Sequence, residues 1–381
     1  MRIGIVCPYS LSLPGGVQNQ VLSLARSLRR RGHEVRVLAP CDGPPPELFV
    51  IPVGKSLPTA ANGSVAPIAP DPSAQLRTIR ALWDEGFDVL HAHEPLAPGP
   101  CHTALVVKPA PIVGTFHAAG SMPAYSVASG LANWGANRID VRVVVSEDAR
   151  KLASRHLPGE YVALFNGIEV DRFRSAVPWP TTGPTVLFLG RHEPRKGLEV
   201  LLRALPDLPA DLTVWVAGTG PATDDLQARY PDPRVQWLGR IDDDERDRRI
   251  AGADVFCAPS LGGESFGVIL LEAMAAGTTV VASAIPGYAK VAAVDGEEAA
   301  VLVEPDDPAA LADGLRRALT DTELADRLRT AGTRRAESFD MERLADEYLR
   351  LYQLAIDTAA AGVASTGGER RRGFFGRLLN R

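Results

Sequence analysis

Cysteine is scarce and long apolar runs are missing from this chain of 381 residues. Its four cysteines lie far apart and form no CxxC pair, so we expect buried thiols in a reducing compartment rather than disulfides or a zinc site. No apolar stretch reaches the roughly 18 residues of a transmembrane helix. Pro8 and Pro14 interrupt the apolar N-terminus too early for a signal peptide. These absences predict a protein that is cytoplasmic or lies on a membrane surface.

Positive charge is not in excess either. The 41 Lys and Arg residues are outnumbered by 46 Asp and Glu residues, which gives a net charge of −5. This excludes nucleic-acid binding through bulk positive charge. Hydrophobic residues make up 45% and charged residues 23%, an ordinary globular composition. At about 150 residues per domain, the length favours two domains.

Short apolar runs alternate with amphipathic stretches, and this alternation occurs twice along the chain. Apolar runs separated by helical patterns are typical of parallel strands covered on both faces. The sequence therefore predicts an α/β protein with two doubly wound Rossmann-like domains facing a central cleft. The predicted N-terminal domain is 1–170, completed by a C-terminal helix at 342–359, and the predicted C-terminal domain is 171–341. The Pro-rich segment 175–184 is the predicted linker.

The chain ends in a predicted flexible tail, residues 360–381. Five arginines, two phenylalanines and two leucines between 370 and 381 would form a basic amphipathic segment that fits an anionic membrane surface. A disordered soluble tail is the alternative.

The most specific motif is GGESFGVILLEAMAAG, residues 262–277. Ser265 is expected to N-cap a helix that Gly277 ends. Free backbone N–H groups at the start of this helix, from Phe266 to Val268, would form an anion site, which Gly267 allows a ligand to approach closely.

Two glutamates belong to the same motif. Glu264 stands at the mouth of the predicted helix and Glu272 lies two turns further on. Both carboxylates could accept hydrogen bonds from sugar hydroxyls beside a bound phosphate. The alternative is an ordinary capped helix whose glutamates face solvent.

A second motif, GRHEPRKG at 190–197, directly follows an apolar run. Ligands of α/β proteins bind where parallel strands end. Arg191 and Lys196 could neutralise a diphosphate there and stabilise the charge that develops as it leaves. Basic residues that are merely solvated in a loop are the alternative.

Two weaker signals lie near the N-terminus. The Gly15-Gly16 turn would let the backbone approach a phosphate at a helix start, although many such pairs are only tight turns. His117 ends a predicted buried strand, where it could accept a hydrogen bond from a sugar hydroxyl or offer its carbonyl; a structural histidine is the default.

Three further patterns are treated as decoys. His91-Ala92-His93-Glu94 has two imidazoles on one strand face but no obvious third metal ligand. Asp242-Asp243-Asp244 formally contains a DxD metal motif, but we expect it to cap the N-terminus of the following helix. Gly218-Thr219-Gly220 suggests a dinucleotide-binding oxidoreductase, but Thr223 stands where the fingerprint needs its third glycine.

Together these segments resemble the retaining GT-B glycosyltransferases of the family 4 type, and more closely the bacterial phosphatidylinositol α-mannosyltransferases. The likeness extends from Met1 to about Ala359. The motifs that carry it are CPYSxxxPGGVQ (7–18), HEVxVLAP (33–40), NGSVA (62–66), DVLHAHEP (88–95), FH (116–117), VLFLGR (186–191) and GGESFGVILLEAMAAGTTVVAS (262–283).

The resemblance implies metal-independent, cofactor-free transfer of mannose from GDP-mannose to the inositol ring of phosphatidylinositol, on the inner face of the cell membrane. The implied catalytic residues are His117, Arg191, Lys196 and Glu264. The implied donor-binding residues are Gly16, Arg191, Lys196, Ile241, Asp243, Glu264, Ser265, Phe266, Gly267, Val268 and Glu272. The implied acceptor-binding residues are Tyr9, Gln18, Asn62 and Gly63.

The chain departs from the family pattern on the acceptor side. Ala61 and Pro67 replace an aromatic and an arginine, Met122 replaces a lysine, and the basic membrane helix is reduced to Arg77 and Arg80. Another nucleotide sugar or a soluble acceptor such as an inositol phosphate therefore remains an alternative. More distant alternatives are the oxidoreductase and a silent sugar-nucleotide binder.

Overall fold

The computed structural model describes residues 1–61, 64–118, 129–264 and 266–364. The chain divides into two compact units. Unit 1 contains Met1–Leu164 and the chain from Asp346 onwards, and unit 2 contains Phe165–Ala345. Each unit is built on a parallel sheet with helices between its strands, so the predicted pair of doubly wound Rossmann-like domains is confirmed.

Unit 1 contains a seven-stranded parallel sheet and an antiparallel hairpin formed by β4 and β5. Its strands are β1 (Arg2–Val6), β2 (Glu34–Ala39), β3 (Val50–Pro52), β4 (Leu57–Ala61), β5 (Ser64–Ile68), β6 (Val89–His93), β7 (Ile112–Phe116), β8 (Val141–Val144) and β9 (Val162–Ala163). The sheet order is β3-β2-β1-β6-β7-β8-β9. Every residue of β6 and β7 is buried, which explains their continuous apolar pattern.

Helices connect these strands. They are α1 (Gly16–Arg30), α2 (Pro72–Asp84), α3 (Pro100–Val107), α4 (Ser129–Ala136) and α5 (Glu147–His156). Asp71 caps α2 by accepting from the Ala74 N–H, and Ser146 caps α5 in the same way through Ala149.

Unit 2 contains a six-stranded parallel sheet and a small antiparallel hairpin formed by β15 and β16. Its strands are β10 (Thr185–Leu189), β11 (Thr213–Ala217), β12 (Val235–Gly239), β13 (Val255–Ala258), β14 (Thr279–Ser283), β15 (Ala293–Val294), β16 (Glu297–Glu298) and β17 (Val301–Val303). The sheet order is β12-β11-β10-β13-β14-β17. Along β13, Val255 and Cys257 join the hydrophobic cluster on one face while Phe256 and Ala258 join the cluster on the other.

Unit 2 also contributes most of the helices among the residues that the structure describes. They are α6 (Val170–Arg174), α7 (Leu198–Ala204), α8 (Thr223–Arg229), α9 (Asp243–Gly252), α10 (Val268–Ala275), α11 (Pro286–Ala289), α12 (Pro308–Thr320) and α13 (Thr322–Glu337), with short 3₁₀ turns at Pro194–Lys196 and Leu205–Asp207. The last helix, α14 (Met341–Ala364), starts in unit 2 and from Asp346 belongs to unit 1.

The Pro-rich segment 175–184, predicted to be the linker, lies within unit 2, because the chain passes between units after Leu164. Trp179 anchors this segment: its backbone N–H donates to Arg248 O at 2.8 Å. The Arg249 guanidinium lies between two indole rings, 4.0 Å from the Trp179 centroid and 4.4 Å from that of Trp215.

Two expectations from residue scarcity can be compared with the structure. The four cysteines, Cys7, Cys41, Cys101 and Cys257, are buried and free, as predicted. Among the described residues, no helix is long and apolar enough to cross a bilayer.

Candidate active site

The candidate site of unit 2 lies at the carboxyl ends of β10 and β13. These neighbouring strands mark the point where the strand order reverses: β11 and β12 lie on one side and β14 and β17 on the other. Open α/β sheets bind ligands at such a point. The loop after β10 is 190–197 and the loop after β13 is 259–267, so the two motifs singled out from the sequence are brought together.

Gly197 joins these two loops. Its φ is +69°, and a Cβ added there would lie 1.8 Å from Pro259 O. The Leu261 N–H also donates to Arg195 O at 2.8 Å. A side chain at 197 would therefore separate the loops, which explains the glycine.

The loop after β11 packs against the first of these loops in the same way. A Cβ on Gly218 would lie 2.0 Å from Gly190 O, and one on Gly220 would lie 2.5 Å from His192 O. Thr223, at the place of the missing third glycine, contacts the His192 ring: its Oγ1 lies 2.9 Å from Nδ1. The glycines that suggested a dinucleotide fingerprint thus have a packing role.

A network of five charged side chains occupies the site. Lys196 Nζ lies 2.5 Å from Glu264 Oε1, and Arg195 Nη1 lies 3.2 Å from the same oxygen. Glu193 accepts from Arg195 at 3.1 Å and from Arg191 at 2.8 Å. Three cations thus face two carboxylates, which leaves one positive charge in excess for an anion.

The structure brings together three predicted residues, Arg191, Lys196 and Glu264, and adds two that sequence reasoning missed. Glu193 and Arg195 lie inside the same GRHEPRKG motif, and their position between the two predicted cations was the available signal. Arg191 keeps 60% of its side chain exposed, whereas Lys196 keeps 21% and Glu264 17%. Arg191 is therefore the most accessible of the three to a ligand.

The prediction that Ser265 is the N-cap of the helix after β13 was wrong. Helix α10 starts at Val268, and its N-cap is Gly267 with φ +78°. The left-handed conformation of Gly267 starts the helix there, two residues after Ser265, which itself lies outside the described residues. The first intrahelical donor is the Leu270 N–H, at 3.0 Å from Gly267 O, so an anion would meet the N–H groups that precede it.

The predicted end of α10 is confirmed. Gly277 has φ +77°. Its N–H donates to Met274 O at 3.1 Å, and the Thr278 N–H donates to Ala273 O at 3.0 Å. This pair of bonds is the Schellman motif.

Phe266 can serve a ligand only through its backbone. Its side chain is 4% exposed and belongs to the core of unit 2. The ring stacks on Phe165 with centroids 5.2 Å apart and meets Phe339 edge-on at 5.1 Å. These contacts hold the start of α10 in place.

Glu272, the predicted ribose ligand, forms an ion pair with Arg246 through its Oε2. Both side chains are largely buried, at 12% and 15% exposure. Burial, the largest single effect, lowers the pKa of Arg246, but Glu272, Asp247 and Asp243 together outweigh it and the pKa is raised. A ribose hydroxyl would have to share this carboxylate with Arg246.

The remaining donor-side residues lie at the start of α9. Asp242 caps this helix by accepting from the Glu245 N–H at 2.8 Å, which confirms the capping interpretation of the three aspartates. The Asp243 side chain is 79% exposed. Ile241 packs against the core of unit 2, so only part of its surface can contact a base.

The acceptor-side residues of unit 1 start at the carboxyl end of β1. Helix α1 starts at Gly16, and a Cβ on Gly15 would lie 2.2 Å from Gln18 Oε1. Gln18 is buried, and its Nε2 donates to Ser10 O at 3.4 Å. Tyr9 is half-buried, and burial raises its pKa well above the usual value. Tyr9 and Gln18 thus belong to one loop region, while Asn62, Gly63 and Met122 lie outside the described residues.

Three histidines gather where β6 and β7 end. His91 bonds to Tyr352 Oη at 2.8 Å through Nδ1 and to Thr115 Oγ1 at 2.7 Å through Nε2. His93 Nδ1 lies 2.8 Å from His117 Nε2. In the parts of the chain that the structure describes, no group of three or more His, Cys, Asp or Glu residues is placed to hold a metal ion.

Burial sets the charge of this cluster. It lowers the pKa of His91 to about 3 and that of His117 to about 4, and it lowers the pKa of His93 well below the usual value. All three are therefore neutral near pH 7. The His117 N–H and the Ala118 N–H both donate to Glu94 Oε2 at 2.9 Å, which fixes the backbone that carries His117.

Comparison with known proteins assigns the chain to a family. Residues 14–172 match the family model described as Glycosyltransferase Family 4, and residues 183–321 match the one described as Glycosyl transferases group 1. The phosphatidyl-myo-inositol mannosyltransferase of Mycobacterium leprae is 42% identical over 380 residues, which cover 96% of this chain and 100% of that protein. The chain belongs to glycosyltransferase family 4.

Other relatives of this glycosyltransferase are more distant. The D-inositol 3-phosphate glycosyltransferase of Xylanimonas cellulosilytica is 28% identical over 386 residues, covering 90% of this chain and 92% of that protein. The structure of sucrose-phosphate synthase from Thermosynechococcus elongatus matches with a TM-score of 0.70 at 22% identity, covering 93% and 98% of the two chains. This likeness confirms the predicted GT-B fold. Family membership also excludes the oxidoreductase alternative.

Proposed function

We propose that this glycosyltransferase moves mannose from GDP-mannose to the inositol ring of phosphatidylinositol, with retention at the anomeric carbon. The observation that carries the proposal is the end-to-end likeness to the mannosyltransferase of M. leprae at 42% identity. The charged network of unit 2 supports the donor half of the reaction, because a nucleoside diphosphate needs cations and free backbone N–H groups at one place.

In this proposal the donor diphosphate lies between the start of α10 and the cations of the 190–197 loop. Lys196 and Arg191 stabilise the charge that develops on the leaving GDP. Glu264 accepts hydrogen bonds from mannose hydroxyls. Its contacts with Lys196 at 2.5 Å and Arg195 at 3.2 Å stabilise the carboxylate and make it a weak nucleophile. This supports front-face transfer, in which the leaving diphosphate helps to deprotonate the acceptor.

GDP and GDP-mannose should stabilise the protein against heat without added metal. At a ligand concentration of about 100 Kd, binding to the folded state contributes about 2.7 kcal/mol. Thermal unfolding is measured with GDP, UDP and ADP, each with and without EDTA. The Asp243 assignment predicts preference for GDP, because Asp243 would lie beside the base, whereas all three nucleotides share the ribose that Glu272 would bind. A stronger shift with UDP or ADP would favour another nucleotide sugar. Loss of the GDP shift in EDTA would contradict metal-independent binding.

The second candidate is the same donor with a soluble inositol phosphate as acceptor. The likeness to the D-inositol 3-phosphate glycosyltransferase of X. cellulosilytica favours this candidate. Incubation with labelled GDP-mannose and either phosphatidylinositol liposomes or inositol 3-phosphate distinguishes the two acceptors. We expect a labelled lipid, and label only in the water-soluble product would replace the lipid acceptor.

We also propose that unit 1 contacts an anionic membrane surface on the inner face of the cell membrane, and α2 supports this. The two arginines noted in the sequence are engaged: Arg77 Nε donates to Val53 O at 2.6 Å, and Arg80 pairs with Asp84 at 3.2 Å. Leu76 and Trp83, however, are 67% and 63% exposed. Their spacing of seven residues places both on one side of α2, where they could enter the interface.

Replacing Leu76 and Trp83 together by serine should weaken binding to phosphatidylinositol vesicles about tenfold or more, because each apolar side chain inserted contributes roughly 1 kcal/mol. Vesicle co-sedimentation measures the effect, and GDP binding should be unchanged. Val177→Ser, an exposed apolar position of unit 2, is the matched control. Deletion of 369–381, which lie outside the described residues, tests the predicted tail in the same assay. Equal binding by the double variant and the wild type would exclude α2.

A further inference from the structure

His93 and His117 form a hydrogen-bonded pair of imidazoles. His93 ends β6, and His117 follows β7, its neighbour in the sheet. The ring nitrogens His93 Nδ1 and His117 Nε2 are 2.8 Å apart, and the two rings are inclined by only 20°, with centroids 5.1 Å apart. His93 is 2% exposed, whereas His117 is only half-buried. The pair thus reaches from the core of unit 1 to its surface.

The pair holds one proton in its shared hydrogen bond. Burial lowers the pKa of both residues below the neutral range, so each ring carries a single N–H near pH 7. A neutral imidazole donates from one nitrogen and accepts at the other. One ring must therefore donate and the other accept.

The second nitrogen of His93 decides which ring donates. His93 Nε2 is buried and has no hydrogen-bond partner among the residues that the structure describes. If His93 accepted through Nδ1, its own proton would lie on Nε2 as a buried donor without an acceptor. If His93 donates, Nε2 carries only a lone pair, and buried donors are orphaned less often than acceptors. The second arrangement is the less costly one.

The surroundings of His93 keep its ring in this orientation. Its ring lies 4.2 Å from the ring of His91, centroid to centroid, and both nitrogens of His91 are bonded to Tyr352 and Thr115. The carbonyl oxygen of His93 accepts from Cys101 Sγ at 3.2 Å.

We propose that His93 is a positioning residue that donates its Nδ1 proton to His117 Nε2 and so holds His117 as the Nδ1–H tautomer. His117 then offers a ligand a hydrogen-bond donor at Nδ1 and has no free ring nitrogen to act as a base. This inference rests on the proposed function for the identity of the ligand, an oxygen of the sugar or of the acceptor. It also changes the expectation from the sequence, in which His117 accepted a hydrogen bond from a sugar hydroxyl.

The tautomer is measured first, without any assay of transfer. In protein labelled with ¹⁵N-histidine, long-range ¹H–¹⁵N correlations distinguish protonated from unprotonated ring nitrogens, and His117→Asn assigns the His117 signals. We expect protonated Nδ1 and unprotonated Nε2 for His117 at pH 7. Protonated Nε2 in His117 would overturn the proposal.

Two variants then separate positioning from packing. His93→Asn keeps an N–H close to the position of Nδ1, and His93→Leu fills a similar space with no donor. His93→Leu should lower kcat about 10- to 100-fold, by analogy with the loss of a hydrogen-bond partner that orients a metal-bound histidine. The donor KM should be unchanged, and His93→Asn should restore most of the rate. Equal losses in both variants would make His93 a packing residue and overturn the proposal.

The outcomes also separate this inference from the proposed function. The expected tautomer in a protein that transfers no mannose to any acceptor would leave the pair as proposed and refute the mannosyltransferase. Mannosyl transfer by a protein in which His117 is the Nε2–H tautomer would support the mannosyltransferase and refute the proposed role of His93.

Discussion

Lys196→Met should lower turnover with saturating GDP-mannose by about 100- to 1000-fold, equivalent to roughly 2.7–4 kcal/mol of barrier. Lys196 lies at the end of the 190–197 loop, 21% exposed, and its Nζ is 2.5 Å from Glu264. In the proposed reaction it faces charge that grows as GDP leaves, so its contribution is larger in the transition state than in the ground state. Methionine keeps the length of the side chain and removes the charge.

Stability should change far less than turnover. Glu264 retains Arg195 at 3.2 Å when Lys196 is lost, so its carboxylate stays paired. We expect a decrease of about 1 kcal/mol in the free energy of unfolding, typical of a partly exposed ion pair. Arg203→Gln, which removes a cation 3.8 Å from Asp306 in the same unit, is the matched control and should retain full turnover. Near-normal kcat in Lys196→Met would remove this lysine from the catalytic residues.

Acidification should destabilise the protein steeply, with His91 contributing about 1.4 kcal/mol per pH unit to the slope. Burial lowers the pKa of His91 to about 3 in the folded state. In the unfolded chain the pKa is about 6.5. Between these values only the unfolded chain binds the proton. The neutral His91 ring therefore costs no stability above about pH 6.5. As the pH falls from about 6.5 towards 3, the free energy of unfolding decreases, because the unfolded chain gains a proton that the folded protein does not bind.

His91→Gln isolates this contribution. The glutamine amide can still bond to Thr115 Oγ1, but Tyr352 loses its partner, which should cost about 1–3 kcal/mol at pH 7. The variant should lose less stability than the wild type for each pH unit, so that their unfolding free energies converge between pH 6.5 and 4.5. Urea titrations at each pH measure both curves. Parallel curves would show that His91 is not the group responsible.

The sheets could be predicted from the sequence because their signal is local. Strands β10 and β13 pack on both faces, and such strands read as continuous apolar runs whatever the rest of the chain does. The GRHEPRKG and GGES motifs could be placed at strand ends for the same reason. Their approach to one another followed from the rule that parallel strands end at one edge of the sheet.

The local details of the same site were harder to predict. Ser265 is a good N-cap residue by type, yet Gly267 is the N-cap of α10. The sequence could not show this, because only the backbone geometry shows which residue takes the left-handed conformation. The proline-rich segment 175–184 resembled a linker, but the backbone N–H of Trp179 bonds to Arg248 of α9. The Arg249 guanidinium also contacts the rings of both Trp179 and Trp215. The contacts of Trp179 thus hold this segment against unit 2 in spite of its prolines.

Long-range partners could not be predicted at all. His91 and His93 suggested a metal site when taken alone. The bond from His91 to Tyr352 joins residues 261 positions apart, and no local sequence pattern predicts it. The pairing of Glu272 with Arg246 is a similar case, since the two lie on different helices.

The course of α14 has a consequence for how the protein is made. Tyr348 and Tyr352 bond to Thr115 and His91 in the buried core of unit 1, yet a ribosome adds them after all of unit 2. An ordinary N-terminal domain folds while the rest of its chain is still being translated. Here the core of unit 1 lacks Tyr348 and Tyr352, and His91 Nδ1 lacks its partner, until α14 has been translated. Completion of unit 1 therefore requires translation of unit 2 and of the start of α14, and we expect a chain terminated within unit 2 to expose an unfinished core.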